Sequence, residues 1–314
     1  MPTVPNNDGS ELSLTTLIEA QHLVSTAPHK ERKGYGPWVG PFRGIRRGQG
    51  LDFDDLRPYA EGDDVRHIDW KVTARYNAPY TRLYREEKDD VMTLAVNFCR
   101  SMFTGSDELR AVQAGKVTAA LLWKSINAGS RCSVQVIDDT GVHGIPARAG
   151  ERGALAGCQL IAERFKHAKL QAMHQGHTPT NAPLETLTNR IARNRRLFGN
   201  IIIVSGFDQT GDELNQQLHA LSSSTQLGQH LCAIHIVDRI EIEGIPSGRY
   251  SYNSGKSKIR IRLNHQQSKK LTRDLQHQRL TVKQSIQNAN ITFISSDSDV
   301  THCVNNVLRL GWVA

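Results

Sequence analysis

Residues 48–75 read GQGLDFDDLRPYAEGDDVRHIDWKVTAR, a run that packs carboxylates, guanidinia and aromatic rings more densely than a solvated loop requires. From Arg46 to Asp90 there are nine Lys/Arg and eleven Asp/Glu, with Phe53, Tyr59, Trp70, Tyr76, Tyr80 and Tyr84 set among them. A solvated face would account for the charges, since exposed ion pairs are each worth roughly 0–1 kcal/mol. It would account for neither the rings nor Gly62-Asp63-Asp64, where glycine permits positive φ and the carboxylates can accept neighbouring N–H groups. Arg57, Arg66 and Arg75 are planar forks suited to bidentate carboxylate pairing. The run therefore predicts a self-satisfied network in which Asp63, Asp64 and Asp69 neutralise those arginines and Trp70 is buried beside them.

Gly48, Gly50, Asp52, Phe53, Arg57, Tyr59, Gly62, Asp63, Asp64, Arg66, Ile68, Asp69, Trp70, Ala74 and Arg75 together resemble the signature of the prokaryotic "domain of unknown function 58" family. That signature runs Gly-x-Gly-x-Glu-Phe, then Arg-x-Tyr-x-x-Gly-Asp-Asp-x-Arg-x-Ile-Asp-Trp, then Ala-Arg; Asp52 stands here for the usual Glu. The resemblance implies a von Willebrand factor type A-like domain that works with a MoxR-type AAA+ ATPase. Many relatives carry transmembrane helices ahead of the signature, and their absence here implies a soluble version of the module.

Outward from the signature the pattern becomes regular. Leu12, Leu14, Leu17, Ile18, Leu23 and Val24 fall at helical spacing, so a short amphipathic helix opens the chain and docks on the main body. Residues 34–50 are rich in Gly and Pro and read as irregular or hairpin-forming. Residues 81–87 alternate as a strand, and Val91 to Phe98 is a nearly continuous apolar run that predicts a central buried strand. Helices are expected over 107–128, 153–169, 183–195, 212–221, 265–288 and 299–310, and strands over 132–137, 201–205, 231–237 and 291–295, with a basic hairpin at 249–263. Strands alternating with helices argue for an α/β fold, a mostly parallel sheet with helices on both faces. Three parts are expected: an N-terminal helix and linker (1–33), a β-rich signature segment (34–87) and a von Willebrand factor type A-like, Rossmann-like core (88–314).

The 314 residues, 38% of them hydrophobic, suffice for a proper core. The formal charge of +8 permits an acidic partner or nucleic acid and speaks to association, not to fold. No apolar run approaches the roughly 20 residues that span a bilayer, and Met1 to Ser10 lacks the form of a signal peptide, so a cytoplasmic location is expected. Five cysteines, at positions 99, 132, 158, 232 and 303, show no Cys-x-x-Cys spacing and indicate neither a zinc site nor a disulfide framework.

In such sheets the ligand site lies at the carboxyl ends of the strands. The family fold implied by the resemblance places Asp-x-Ser-x-Ser there, a metal site (MIDAS) whose hard oxygens suit Mg2+. Aligned on the strand, this chain reads Asn97-Phe98-Cys99-Arg100-Ser101. An amide replaces the carboxylate, and a soft thiol replaces one hydroxyl. The second loop offers Thr178 or Thr180. The third has Ser205-Gly206 where Ser-Asp is usual, with Asp208 two positions further on. A degenerate site without bound metal or cofactor is expected, its surface still available to protein contacts.

Nothing recommends a catalytic triad or a nucleotide site: Gly255-Lys256-Ser257 lacks the earlier glycine of a P-loop, which would fall at Tyr250. The expected function is non-enzymatic, an adaptor that works with a MoxR-like ATPase on a client protein. Arg57, Tyr59, Gly62, Asp63, Asp64, Arg66, Asp69, Trp70 and Arg75 would fix the signature on the core or present its partner surface. The alternative is nucleic-acid binding through Arg249 to Lys283, which holds ten Lys/Arg and a single acid, Asp274, with Tyr250 and Tyr252 available for stacking.

Overall fold

The computed structural model describes residues 9–23, 47–85, 91–174, 183–193, 199–208, 211–225, 229–253, 258–296 and 299–312. Thr178, Thr180 and residues 255–257 lie outside the described residues, as does the glycine-rich stretch up to position 46. The chain divides into two compact units, Arg32–Asp89 and the remainder, Met1–Glu31 with Asp90–Ala314.

The opening helix α1 (Leu14–Glu19) starts at Ser13, whose hydroxyl accepts the Thr16 N–H at 3.1 Å. Leu12, Leu17 and Ala20 are buried in the larger unit's core, and Trp123 Nε1 donates to the Leu17 carbonyl at 3.1 Å. The N-terminal helix is thus part of the α/β body.

The smaller unit is an antiparallel ribbon of β1 (Arg47–Pro58) and β2 (Tyr80–Arg85), with α2 (Trp70–Tyr76) in the connection. Arg57 lies opposite Thr81 and Pro58 opposite Tyr80. The helix escaped the sequence reading because Asp69 was assigned to an ion pair. It is also an N-cap, accepting from the Lys71 and Val72 N–H groups.

The larger unit continues with β3 (Val91–Asn97), α3 (Arg110–Asn127), β4 (Arg131–Asp138), β5 (Gly141–Arg148), α4 (Gly150–His174), α5 (Pro183–Arg193), β6 (Asn200–Ser205), α6 (Asp212–Ser224) and β7 (Leu231–Ile236). It closes with α7 (Arg239–Glu243), β8 (Gly248–Asn253), β9 (Lys258–Leu263), α8 (His265–Asn288), β10 (Thr292–Ser296) and α9 (Val300–Arg309). Six strands form one sheet in the order β10-β7-β6-β3-β4-β5, all neighbours parallel except β4 and β5. The antiparallel edge strand β5 had no counterpart in the sequence reading. Its residues are mostly half-buried, and an edge strand bearing Gly141, Gly144 and Pro146 lacks the apolar run of a central one.

Alternation along the strands fills two cores. Leu94, Val96, Val134, Val136, Ile202 and Val204 pack with residues of α3, α4 and α9 on one face. Ala95, Ile201, Ile203 and Ala233 pack with residues of α5, α6 and α8 on the other. Burial of both faces is why these strands read as continuous apolar runs. The result is the mostly parallel, doubly covered α/β sheet expected, of the von Willebrand factor type A-like kind. Among the described residues no helix is long and apolar enough to cross a membrane.

Candidate functional site

β3 and β6 are adjacent in the sheet and the winding reverses between them, so their carboxyl ends define the crevice where this architecture places ligands. Asn97, buried at the end of β3, spends its whole amide there. Its Nδ2 donates to Ser205 Oγ at 2.9 Å, and its Oδ1 accepts the Cys99 N–H at 2.8 Å. Cys99 is buried beside Asp139; burial first, then that carboxylate's charge, pushes its thiol well above the ordinary range and keeps it protonated. Ser101 contributes its carbonyl, which accepts from Thr104 Oγ1 at 3.0 Å. These residues do not fit a Mg2+ site, because the amide oxygen is occupied and the thiol is neutral. Among the described residues no group of three or more His, Cys, Asp or Glu is placed to hold a metal ion.

The charge in the crevice comes instead from Arg110, the first residue of α3 and itself buried. A cation at a helix N-terminus is opposed by the helix dipole, so it needs a compensating anion. Asp208 supplies it: Arg110 Nη1 donates to Asp208 Oδ1 at 2.6 Å, while Nη2 donates to the Ser101 carbonyl at 2.7 Å and Thr104 Oγ1 at 3.1 Å. Glu241 of α7 lies 3.7 Å from the same guanidinium, and burial raises its carboxyl above the usual range despite that charge. A Cβ at position 206 would fall 2.8 Å from Arg110 Nη1 and 2.9 Å from Asp208 Oδ2. Gly206 is therefore the space through which the guanidinium reaches Asp208. Phe207 follows with φ 48°, a left-handed conformation uncommon for a non-glycine residue, in the turn that precedes Asp208. Sequence reasoning noted Asp208 and missed Arg110. The available signal was an arginine opening an otherwise apolar, alanine-rich helix.

Neighbouring loops are tied to this centre. Ser106 N–H donates to Asp238 Oδ2 at 2.6 Å, joining the loop before α3 to the N-cap of α7. His235 on β7 is buried against Phe207 and Phe293, and burial pulls its imidazole down to about 4. At the end of β4, Asp138 is fully buried. Burial disfavours its charge, yet hydrogen bonds from Thr140 and from Arg164 Nε (2.9 Å) outweigh that and hold its carboxyl below the usual range.

In the smaller unit, Arg57 Nη2 meets Asp63 Oδ1 at 2.6 Å, and Asp63 Oδ2 accepts the Ala60 N–H at 3.0 Å. Arg66 forks onto Asp64 at 2.9–3.2 Å, and hydrogen bonds from its side chain and then its backbone bring the Asp64 carboxyl down to about 2. Gly62 has φ 101° in the turn between them. Tyr59, half-buried, donates its N–H to the Pro79 carbonyl at 2.8 Å.

Two expectations for this network are corrected. Asp69 does not neutralise Arg75: it accepts the Lys71 and Val72 N–H groups and Arg82 Nε at 2.9 Å, and Arg75 is exposed with no ion pair to a described residue. Trp70 is not buried beside the network but 69% exposed. The half-buried residues of α2 are Val72 and Thr73, the latter accepting the Tyr80 N–H at 3.1 Å, which leaves Trp70 and Arg75 to solvent.

Fold and site together define a von Willebrand factor type A-like domain with a buried guanidinium–carboxylate pair at the carboxyl edge of its sheet, joined in one chain to a charged β-ribbon unit. The chain belongs to the family described as "Protein of unknown function DUF58", which it matches over residues 55–285. Similar curated proteins are the uncharacterized proteins Rv1480 of Mycobacterium tuberculosis and Mb1516 of Mycobacterium bovis. Each is 26% identical over 170 residues, 54% of this chain and 50% of the relative. The chain thus spans about half the length of the curated relatives it matches. Among solved structures it is similar to an aerotolerance-related membrane protein from Bacteroides fragilis (TM-score 0.40, 13% identity, 70% of this chain and 96% of that one). It is also similar to the conserved hypothetical protein BatB from Bacteroides thetaiotaomicron (TM-score 0.40, 12% identity, 71% and 98%). The fold assignment stands on the strand order itself.

Proposed function

We propose that the chain is a non-enzymatic, cytoplasmic adaptor that binds other proteins and works with a MoxR-like AAA+ ATPase in assembling, remodelling or maturing a client. The observation that carries this reading is the pairing of a fixed backbone with exposed aromatic groups in the smaller unit. Asp69 pins the start of α2 to β2, and Asn77 ends the helix in a left-handed conformation with φ 55°. From that fixed frame Trp70, Tyr76 (63% exposed) and Val65 (60%) reach solvent. Rigid aromatic groups rimmed by polar residues are the typical energetic anchors of protein interfaces. In this reading ATP chemistry belongs to the partner and the adaptor uses no cofactor of its own, which the buried Arg110–Asp208 pair in the crevice supports.

Affinity capture from nuclease-treated native lysate, with and without ATP, tests this directly. Wild type should enrich an AAA+ ATPase about tenfold or more over Trp70→Ala, an effect of the size expected for an aromatic anchor, while the two proteins melt alike. Equal capture by both would discard the Trp70 surface, and capture that collapses on nuclease treatment would discard the protein-adaptor reading.

A further inference from the structure

Beyond the Trp70 surface, the larger unit carries a second feature that its own fold leaves unsatisfied. In the β8–β9 ribbon Arg249 stands directly opposite Arg262, and Arg260 lies opposite Ser251 on the same face. Directly opposed side chains in an antiparallel pair are about 5 Å apart, and like charges there are destabilising. All three arginines are exposed, and none forms an ion pair with a described residue. The ribbon leads straight into α8, and between positions 265 and 281 only Ser268 of that helix is buried. Lys269, Arg273 and Leu280, at i, i+4 and i+11, share one stripe of its exposed side.

This arm is not loose. Ile245 N–H donates to Thr272 Oγ1 at 3.1 Å, and Ser268 Oγ donates to the Ile245 carbonyl. Asn264 and Gln267 form a capping box, and the Tyr250 hydroxyl donates to the Pro246 carbonyl at 2.6 Å. A cationic face whose arginines repel one another is thus held in place at its root, which is the arrangement expected where an anionic partner supplies the missing charge.

We propose that the β8–β9 ribbon and the exposed stripe of α8 form a docking arm for an acidic protein segment bearing aliphatic side chains. The aliphatic requirement comes from Leu280, 58% exposed, which shares its stripe of α8 with Lys269 and Arg273. A phosphate backbone offers such a side chain nothing, and Tyr250 of the ribbon is half-buried with its hydroxyl spent on the Pro246 carbonyl, so it is no open stacking platform. An acidic, leucine-bearing segment satisfies both the charges and the apolar groups. This inference rests on a different unit from the Trp70 reading, and either can fail alone.

Fluorescence anisotropy on the full chain decides it, with three labelled probes: a peptide of Glu and Leu, the same peptide with every Leu replaced by Ser, and a single-stranded DNA oligonucleotide. The Glu/Leu peptide should bind most tightly, with affinity falling as salt rises. Arg260→Gln/Arg262→Gln should weaken it about tenfold or more, as for loss of two charge-assisted contacts. Leu280→Ser should weaken it about threefold, as for one partly buried aliphatic group. All variants alter exposed positions and should melt like wild type. Equal binding of the two peptides, oligonucleotide binding as tight as that of the Glu/Leu peptide, or no binding at all would each overturn the proposal. So would self-association abolished by the arginine variants, which would make a second copy the occupant.

Discussion

Arg57 and Arg110 each meet an aspartate at 2.6 Å, and the two pairs could hardly differ more in what they hold. Arg57 and Asp63 are six residues apart, both partly open to water, and their bond shapes a turn that leads to α2. Arg110 and Asp208 are 98 residues apart in the sequence, and their bond joins the start of α3 to the loop after β6 in the middle of the sheet's carboxyl edge. The first pair organises a surface for presentation. The second ties two loops together at the carboxyl edge of the sheet. Distance alone does not distinguish them; burial and sequence separation do.

The strongest way to break this contrast is Arg110→Met. It strands Asp208 and Glu241 without their cation, and removing one partner of a buried ion pair costs roughly 3–5 kcal/mol, the lower end applying because Asp208 is partly open. Urea unfolding should show a drop of about 3 kcal/mol, part of it recovered in Arg110→Met/Asp208→Asn because the two sites are coupled. An unchanged midpoint would mean that the guanidinium is not what holds the crevice shut.

Proton linkage sharpens the same contrast. His235, beside this centre, has its folded value near 4 against 6.5 ordinarily. A base depressed in the folded state contributes stability that is complete above its unfolded value and is lost as pH falls through the window from 6.5 to 4. About 3 kcal/mol rides on a difference of that size. Glu241 has the opposite sign: its raised carboxyl favours the folded state at low pH and loses that contribution as pH rises above 4.5. Wild type should therefore lose stability relative to His235→Phe as pH falls from 7 toward 4, read from denaturation midpoints. The Asp64 carboxyl of the smaller unit, held down to about 2, titrates below this window. Parallel profiles for the two proteins would remove His235 from the account.

How much of this was legible in the chain follows the same division. IIIVS at 201–205 and LCAIHI at 231–236 announce central strands because both faces are buried, and the polar run after Asn264 announces α8 through its capping pattern. β5 was invisible because an edge strand with one open side carries no such run. Asn97 and Cys99 were readable as poor Mg2+ ligands, since those side chains are so wherever they point. The pairing of Arg110 with Asp208 was not readable, because a contact across 98 residues leaves no local trace. Trp70 misled for the converse reason: an aromatic ring among ion pairs suggests burial, yet its place in the first turn of a short helix decides otherwise.

The mildest test falls on the signature pair. In Asp63→Asn the amide oxygen can still accept the Ala60 N–H, but the charge that holds Arg57 is gone. Partly solvated pairs contribute up to about 1 kcal/mol, so the global midpoint should barely move. The effect belongs to the turn itself. Amides between positions 60 and 68 should exchange faster while those of β3 and β6 keep their protection, because local opening and global unfolding are separate processes. Partner capture through Trp70 should weaken in step with that loosening, since the turn sets the entry to α2. If Asp63→Asn instead lowered the global midpoint as far as Arg110→Met, the signature would be as deeply structural as the crevice, and the division of labour between the two pairs would not stand.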